Sequence, residues 1–165
     1  MFEDLKNAPD VSSYGAIAVY AALSRPADEL KKVLDCTEGL ENRIKALAKG
    51  NHDYESLVAK ITTKRYIASR IRRILAAAVL GIDEDLVRRS LKNKLYLNVL
   101  AVSKARADEI LPALNESAFP VLTRRSDEKN IPARAAACYE KDILAEDLYS
   151  FLSRSPSRAG KTLFV

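Results

Sequence analysis

A single histidine, His52, is the scarcest chemical resource of this 165-residue chain. One histidine excludes a two-histidine nucleotidyl-transfer motif, an H-E-x-x-H zinc site and any histidine ligand cluster. The two cysteines, Cys36 and Cys138, stand apart and outside any C-x-x-C. A conventional metal centre is therefore not expected, and the default is two buried, reduced thiols. Tryptophan is absent and there are only five glycines, none arranged as G-x-G-x-x-G. Ala159-Gly160-Lys161-Thr162 ends like a phosphate-binding loop, but Ser155 stands where its first glycine belongs. Only three residues follow, too few for the helix that would cradle a phosphate, so the match reads as coincidence. No apolar run is long enough to cross a bilayer. Met1 to Lys6 lacks the basic and apolar regions of a secretory signal. A cytoplasmic protein without membrane contact is expected.

What the chain has is helix formers and charge. Hydrophobic residues make up 48% and charged residues 30%, a globular profile, and the net charge is +5. That balance suits a polyanionic partner without demanding one. Ala, Leu, Lys, Glu and Arg dominate and long alternating patterns are missing, which predicts an all-α fold, an irregular multi-helix bundle. Helices are expected over Val11–Leu23, Ala27–Leu34, Thr37–Ala48 with Gly50 as stop, Asp53–Ile61, and from Thr62 or Thr63 to Gly81. Further helices are expected over Glu84–Lys92 and Ala105–Leu111, and from Pro132 to Phe151, with Ala136, Tyr139, Ile143, Leu148 and Phe151 as core candidates. Leu95–Val102 fits a strand or a buried helix equally well. Residues 119–124 read as a short extended segment, because the residue before Pro120 is pushed that way. The expected organisation is a main helical domain over 1–115, a segment over 116–152 ending in a helix packed on it, and a mobile tail over 153–165.

The densest feature runs from Thr63 to Leu75. At about 100° per residue, Ile67, Ile71, Ile74, Leu75 and Ala78 share one side of a helix. Arg65 and Arg72 then share one flank, and Tyr66, Arg70 and Arg73 another. Cations that neutralise phosphate, next to a ring that can stack on a base, are the chemistry of RNA binding. The plainer alternative is a solvated helix face. Lys64 and Arg65 would sit near a helix N-terminus, where cations are unfavourable unless an outside anion or neighbouring acids compensate. Arg70 and Arg73 could grip successive phosphates or pair with Glu38 or Glu41, and Arg43 and Asn42 share that ambiguity. Tyr66 could stack on a base or satisfy its hydroxyl at a helix seam. No set of residues forms a self-sufficient catalytic site.

Several segments carry a family resemblance. Asp35-Cys36-Thr37-Glu38-Gly39-Leu40-Glu41-Asn42-Arg43-Ile44 contains an E-G-L-E-N-R-I signature. Thr63-Lys64-Arg65-Tyr66, with Arg70-Ile71 and Arg73-Ile74-Leu75, resembles T-K-R-Y-x-x-x-R-I-x-R-x-L, and Tyr96–Ala101 resembles Y-L-R-V-L-G with Asn98 and Ala101 departing from it. Pro120–Thr123 and Ala145–Tyr149 resemble weaker, later blocks. Together they resemble the C-terminal helical region of the bacterial tRNA(Met) cytidine acetate ligase family. The resemblance implies ATP-dependent acetylation of a tRNA wobble cytidine, by a nucleotidyltransferase domain with an H-x-G-H motif. It implies that this chain is a tRNA-binding C-terminal domain, inactive alone, excised or truncated from that missing domain. Its partners would be elongator methionine tRNA and the missing domain. ATP and acetate would belong to that domain, leaving no cofactor here. The residues implied for RNA contact are Lys64, Arg65, Tyr66, Arg70, Arg72, Arg73, Arg43 and Asn42. Alternatively, the helices scaffold the nucleotidyltransferase domain, form a dimer interface, or complete its ATP site.

Overall fold

A computed structural model describes residues 11–92, 95–156 and 161–165. The chain divides into two compact units, residues 1–87 with 152–154, and residues 88–151 with 155–165.

The first unit is helical. Its helices are α1 (Val11–Ser24), α2 (Ala27–Leu30), α3 (Leu40–Ala48), α4 (Tyr54–Ile61) and α5 (Ala68–Leu80); α6 (Glu84–Lys92) begins in it. The apolar positions of these segments recur at helical spacing, and they meet in one core. Leu30, Leu40, Ile44, Leu57, Ile61, Ile71 and Leu75 are fully buried there. Gly15 lets α1 approach α4 closely, because a β-carbon at this position would lie 2.7 Å from that of Tyr54. Tyr14 meets the Tyr54 ring edge-on at 5.6 Å.

The ends of these helices are closed by side chains. Asp53 accepts the Ser56 amide at 2.6 Å and starts α4. Gly81, at φ +65°, ends α5 in the left-handed conformation that glycine adopts without cost. Three cations serve helix C-termini, where exposed carbonyls and the helix dipole favour positive charge. Arg43 donates to the carbonyls of Ile61 (3.0 Å) and Lys60 (2.7 Å) at the end of α4. Lys45 donates to the carbonyls of Leu23 and Arg25 past α1. Arg25 donates to the carbonyl of Ala78 near the end of α5.

The second unit mixes helices with very short strands. Its elements are β1 (Leu97–Asn98), β2 (Ala101–Val102), α7 (Ala107–Asn115), β3 (Val121–Leu122), a 3₁₀ turn (Arg125–Asn130), α8 (Ala133–Ser153) and β4 (Leu163–Phe164). Strand β1 pairs in parallel with β3, and β2 in parallel with β4. Few side chains are deeply buried in this region, chiefly Val102, Leu122, Ala135 and Tyr139.

The all-α expectation is corrected here: the protein is mainly helical with two small parallel strand pairs. Each strand is two residues long, too short to show alternation, and its partner is far away in the chain. Phe151, expected in the core, is 74% exposed. The basic helix also starts later than expected. Residues 63–66 close a turn in which Thr63 Oγ1 accepts the amides of Arg65 and Tyr66, and α5 begins only at Ala68. Threonine offers such local hydrogen bonds in competition with a helix. Lys64, Arg65 and Tyr66 therefore precede the helix rather than sharing its flanks with Arg72.

Candidate anion-binding site

The two sequence signatures meet each other. Residues 35–39, between α2 and α3, pack beside the turn before α5 and the first turn of α5 itself. Asp35, Glu38 and Gly39 in that loop have φ of +67°, +63° and +82°. For residues with a β-carbon this conformation costs of order 1 kcal/mol or more, so the surroundings must hold it in place. They do. Arg70 donates through Nε to the Asp35 carbonyl at 2.9 Å and through a terminal nitrogen to that carbonyl and to Thr37 Oγ1. Tyr66 donates its hydroxyl to the Glu38 carbonyl at 2.9 Å. Arg65 forms a two-point pair with the Glu38 carboxylate at 2.8 and 2.7 Å. Arg73 reaches the Asp35 carboxylate at 3.4 Å.

Electrostatics follow these contacts. The hydrogen bonds from Arg65 hold the Glu38 carboxyl below its ordinary value, and Glu38 in turn raises the Arg65 guanidinium. The buried Cys36 thiol is pushed up to about 11, first by burial and then by Glu41, with Arg70 opposing. A thiol so placed stays protonated and is not a nucleophile at neutral pH.

The residues expected to bind RNA divide into three groups. Tyr66, Arg70 and Arg43 serve the fold. The Tyr66 ring is buried, flanked by Arg65 at 5.8 Å and Arg70 at 5.6 Å, so it offers no free face to a base. Arg72 pairs with Glu55 at 2.6 Å, and Asn42 donates to Glu41 at 3.1 Å. Lys64, Arg65 and Arg73 remain outward. Arg65 and Arg73 keep 63% and 65% of their side chains exposed. Lys64 is exposed with no hydrogen-bond or ion-pair partner among the described residues. The sequence pairing of Arg70 and Arg73 with Glu38 or Glu41 picked the right loop but the wrong acid. The partner is Asp35, turned toward α5 by its left-handed backbone. The motif block around Asp35 was the available signal.

This arrangement can hold negative charge. It has no nucleophile-and-base pair, and the described residues contain no cluster of three or more His, Cys, Asp or Glu fit for a metal. No helix among them is long and apolar enough to cross a membrane.

The family model for HIGH Nucleotidyl Transferase matches residues 2–162. This chain belongs to that family. Relatives include tRNA(Met) cytidine acetate ligase of Thermoanaerobacter sp. strain X514, 28% identical over 96% of this chain and 39% of the relative. The same-named protein of Clostridium kluyveri is 31% identical over 76% of this chain and 30% of the relative. The chain thus spans about two fifths of the length of the first of these curated relatives. The fold is shared with two crystal structures of Thermotoga maritima TmcAL. The apo form matches with TM-score 0.80 over 94% of this chain and 41% of that one. The form bound with alpha-thio ATP matches with TM-score 0.81 over 95% and 43%, both at 21% identity.

These matches correct two expectations. The nucleotidyl transferase model itself covers residues 2–162, so the chain is not a C-terminal tRNA-binding domain standing outside the nucleotidyltransferase. The expectation that no cofactor belongs to these residues falls with it, because a nucleotidyl transferase works on a nucleotide. The C-terminal expectation rested on the resemblance of two motif blocks to a C-terminal helical region and on the lack of an H-x-G-H motif, whereas the nucleotidyl transferase model spans those same blocks.

Proposed function

We propose that this chain is a nucleotide-handling part of an ATP-dependent ligase that modifies tRNA, with Lys64, Arg65 and Arg73 holding phosphates of ATP. The relatives' name, tRNA(Met) cytidine acetate ligase, supports the reaction class. The ATP analogue in the Thermotoga maritima structure supports the nucleotide. The observation that carries the assignment within this chain is geometric. A turn pinned by Thr63 presents Lys64 without an anionic partner, beside two guanidinium groups that remain largely exposed.

The proposed role is electrostatic. Arg70 and Tyr66 fix loop 35–39 and the turn, so the outward cations are in place before the nucleotide arrives. Preorganised positive charge counters the charge that moves along a triphosphate as its bonds break. Proton transfer is not assigned to this cluster: the chain's one histidine, His52, is an exposed residue next to the Asp53 cap.

Calorimetric titration of the chain with ATP tests this reading. Lys64→Ala and Arg73→Ala are each expected to weaken ATP binding roughly tenfold, the scale of one charged hydrogen bond. ATP binding that ignores both substitutions would sink the assignment. Loss of tRNA binding with ATP binding intact would turn these cations toward RNA instead.

A further inference from the structure

Charge is distributed unevenly along the chain. Residues 1–87 match their Lys and Arg with Asp and Glu one for one, so the whole net charge of +5 falls within residues 88–165. Within that stretch the backbone sets two cations face to face. Arg124 and Lys161 form an antiparallel bridge, reinforced by the Thr162 amide bonding the Thr123 carbonyl at 3.1 Å. Residues directly opposite each other in such a bridge have β-carbons roughly 5 Å apart, and like charges there repel. Two exposed cations set opposite one another make the bridge a favourable place for an anion.

The anion within the protein does only part of this. Asp127 is the acid bonded to Arg124, and its carboxylate is mostly spent on the local turn. Its Oδ2 accepts the amides of Thr123 and Arg124 and the Thr123 hydroxyl, while Oδ1 accepts, among the described residues, the Arg124 Nε at 3.2 Å. The Arg124 side chain is 78% exposed. Lys161 is exposed, and its side chain has no partner among the described residues. Two further exposed cations flank the pair. Arg125 is next in sequence, with Glu128 lining the same shallow concavity. Lys104 donates its amide to the Val165 carbonyl at 2.7 Å, and Val165 lies about 13 Å along the strand from Lys161 at the usual rise per residue.

We infer that Arg124 and Lys161 clamp a backbone phosphate of RNA, with Arg125 and Lys104 extending the contact along the strand. The inference rests on the reading that the protein acts on tRNA. It places the RNA contact on the second unit and leaves the Lys64 cluster to the nucleotide. An extended polyanion fits better than a lone phosphate, because the cations are spread along a strand and the whole charge excess lies in this half of the chain. Phosphate contacts of this kind fix position without reading base identity.

The test is a salt titration of the full chain with unfractionated bacterial tRNA, alongside ATP calorimetry on the same samples. For a folded Arg124→Gln/Lys161→Gln variant, the log–log dependence of affinity on salt is expected to flatten by about 0.7 to 0.9, the share of one lost phosphate contact. ATP affinity should be unchanged. Arg124→Lys, which keeps the charge and forgoes the single Nε contact to Asp127, should retain the wild-type slope, and so should Lys49→Gln, an exposed cation of the first unit. A double variant with the wild-type slope overturns the inference, as does a chain that binds no tRNA. A slope that flattens only for Lys64→Ala overturns it too. If ATP binding is absent while the double variant still flattens the tRNA slope, the nucleotide reading fails and the clamp stands. If the double variant does not fold, the single Lys161→Gln variant carries the test, with an expected slope change of about half.

Discussion

Most arginines of the first unit are committed to its own fold, whereas the second unit turns Arg124, Lys161 and Lys104 toward solvent. In residues 11–87, Arg25, Arg43 and Lys45 close helix ends, Arg70 ties down a left-handed loop, and Arg65, Arg72 and Arg73 pair with acids. These helices surround a core of fully buried Leu and Ile side chains. In the second unit the apolar burial is thin and the strands are two residues long. There the Lys161 and Lys104 side chains have no partner among the described residues, and Arg124 meets a carboxylate already committed to its own turn. Basic residues of the sequence signatures thus divide between two tasks: Arg43 and Arg70 brace the fold, while Lys64, Arg65 and Arg73 keep an outward face. Where the fold needs positive charge at a helix end or a left-handed loop, the signatures mark that need, and only the remaining signature cations face outward.

Core substitutions should separate the units most sharply. Leu57 is fully buried among α1, α3, α4 and α5. Leu57→Ala is expected to cost about 2–5 kcal/mol in denaturant unfolding, the range for a truncated core leucine. Ile143 is half-buried and lines an open concavity of the second unit. Ile143→Ala should cost about 1 kcal/mol, since little apolar surface is removed from water there. Equal losses would mean that the thin core of the second unit carries more than its burial shows.

The Arg70 contacts allow a finer cut. Removing them with Arg70→Ala should destabilise the chain by about 1–2 kcal/mol, at the low end for charged hydrogen bonds because the site is partly exposed. Arg70→Lys should recover little, since an ammonium cannot reproduce the planar fork that bridges Asp35 and Thr37. Thermal unfolding checks both. Full recovery by lysine would reassign Arg70 from a geometric brace to a simple charge.

How much of this was legible in the sequence depends on range. Helix interiors, the Asp53 cap and the Gly81 stop were readable because each depends on neighbours within a turn or two. The start of α5 was misplaced because Thr63 also has local partners, and its turn competes with a helix over the same residues. The capping by Arg43 and Lys45 was hidden, since both target carbonyls lie about twenty residues away. The parallel strands were hidden more deeply still: nothing local in Leu97-Asn98 or Val121-Leu122 says that they pair. The same holds for Arg124 and Lys161. One sits in an ordinary basic dipeptide and the other in what reads as a broken phosphate loop, and only the bridge brings them together.

Acid should discriminate the units by the weakest force. Hydrogen bonds, led by the Thr123 amide and joined by Arg124, hold the Asp127 carboxyl down at about 2, against an ordinary value of about 3.9. A carboxyl depressed in the folded state stabilises the fold above its unfolded value and stops doing so as pH falls through its folded one. The contribution of Asp127 is therefore complete above about pH 4 and fades from there toward pH 2. The protection of the Thr123 and Arg124 amides, measured as exchange relative to the intrinsic rate at each pH, should fall across that window in the wild type. In Asp127→Asn those amides should already be less protected at pH 5, and their protection should no longer depend on acid. The amides of Ile71 and Leu75, inside α5 and its core, should be indifferent to the substitution. If α5 amides respond as strongly as Thr123, the division of labour between the units is wrong, and the charges of the second unit also serve the fold.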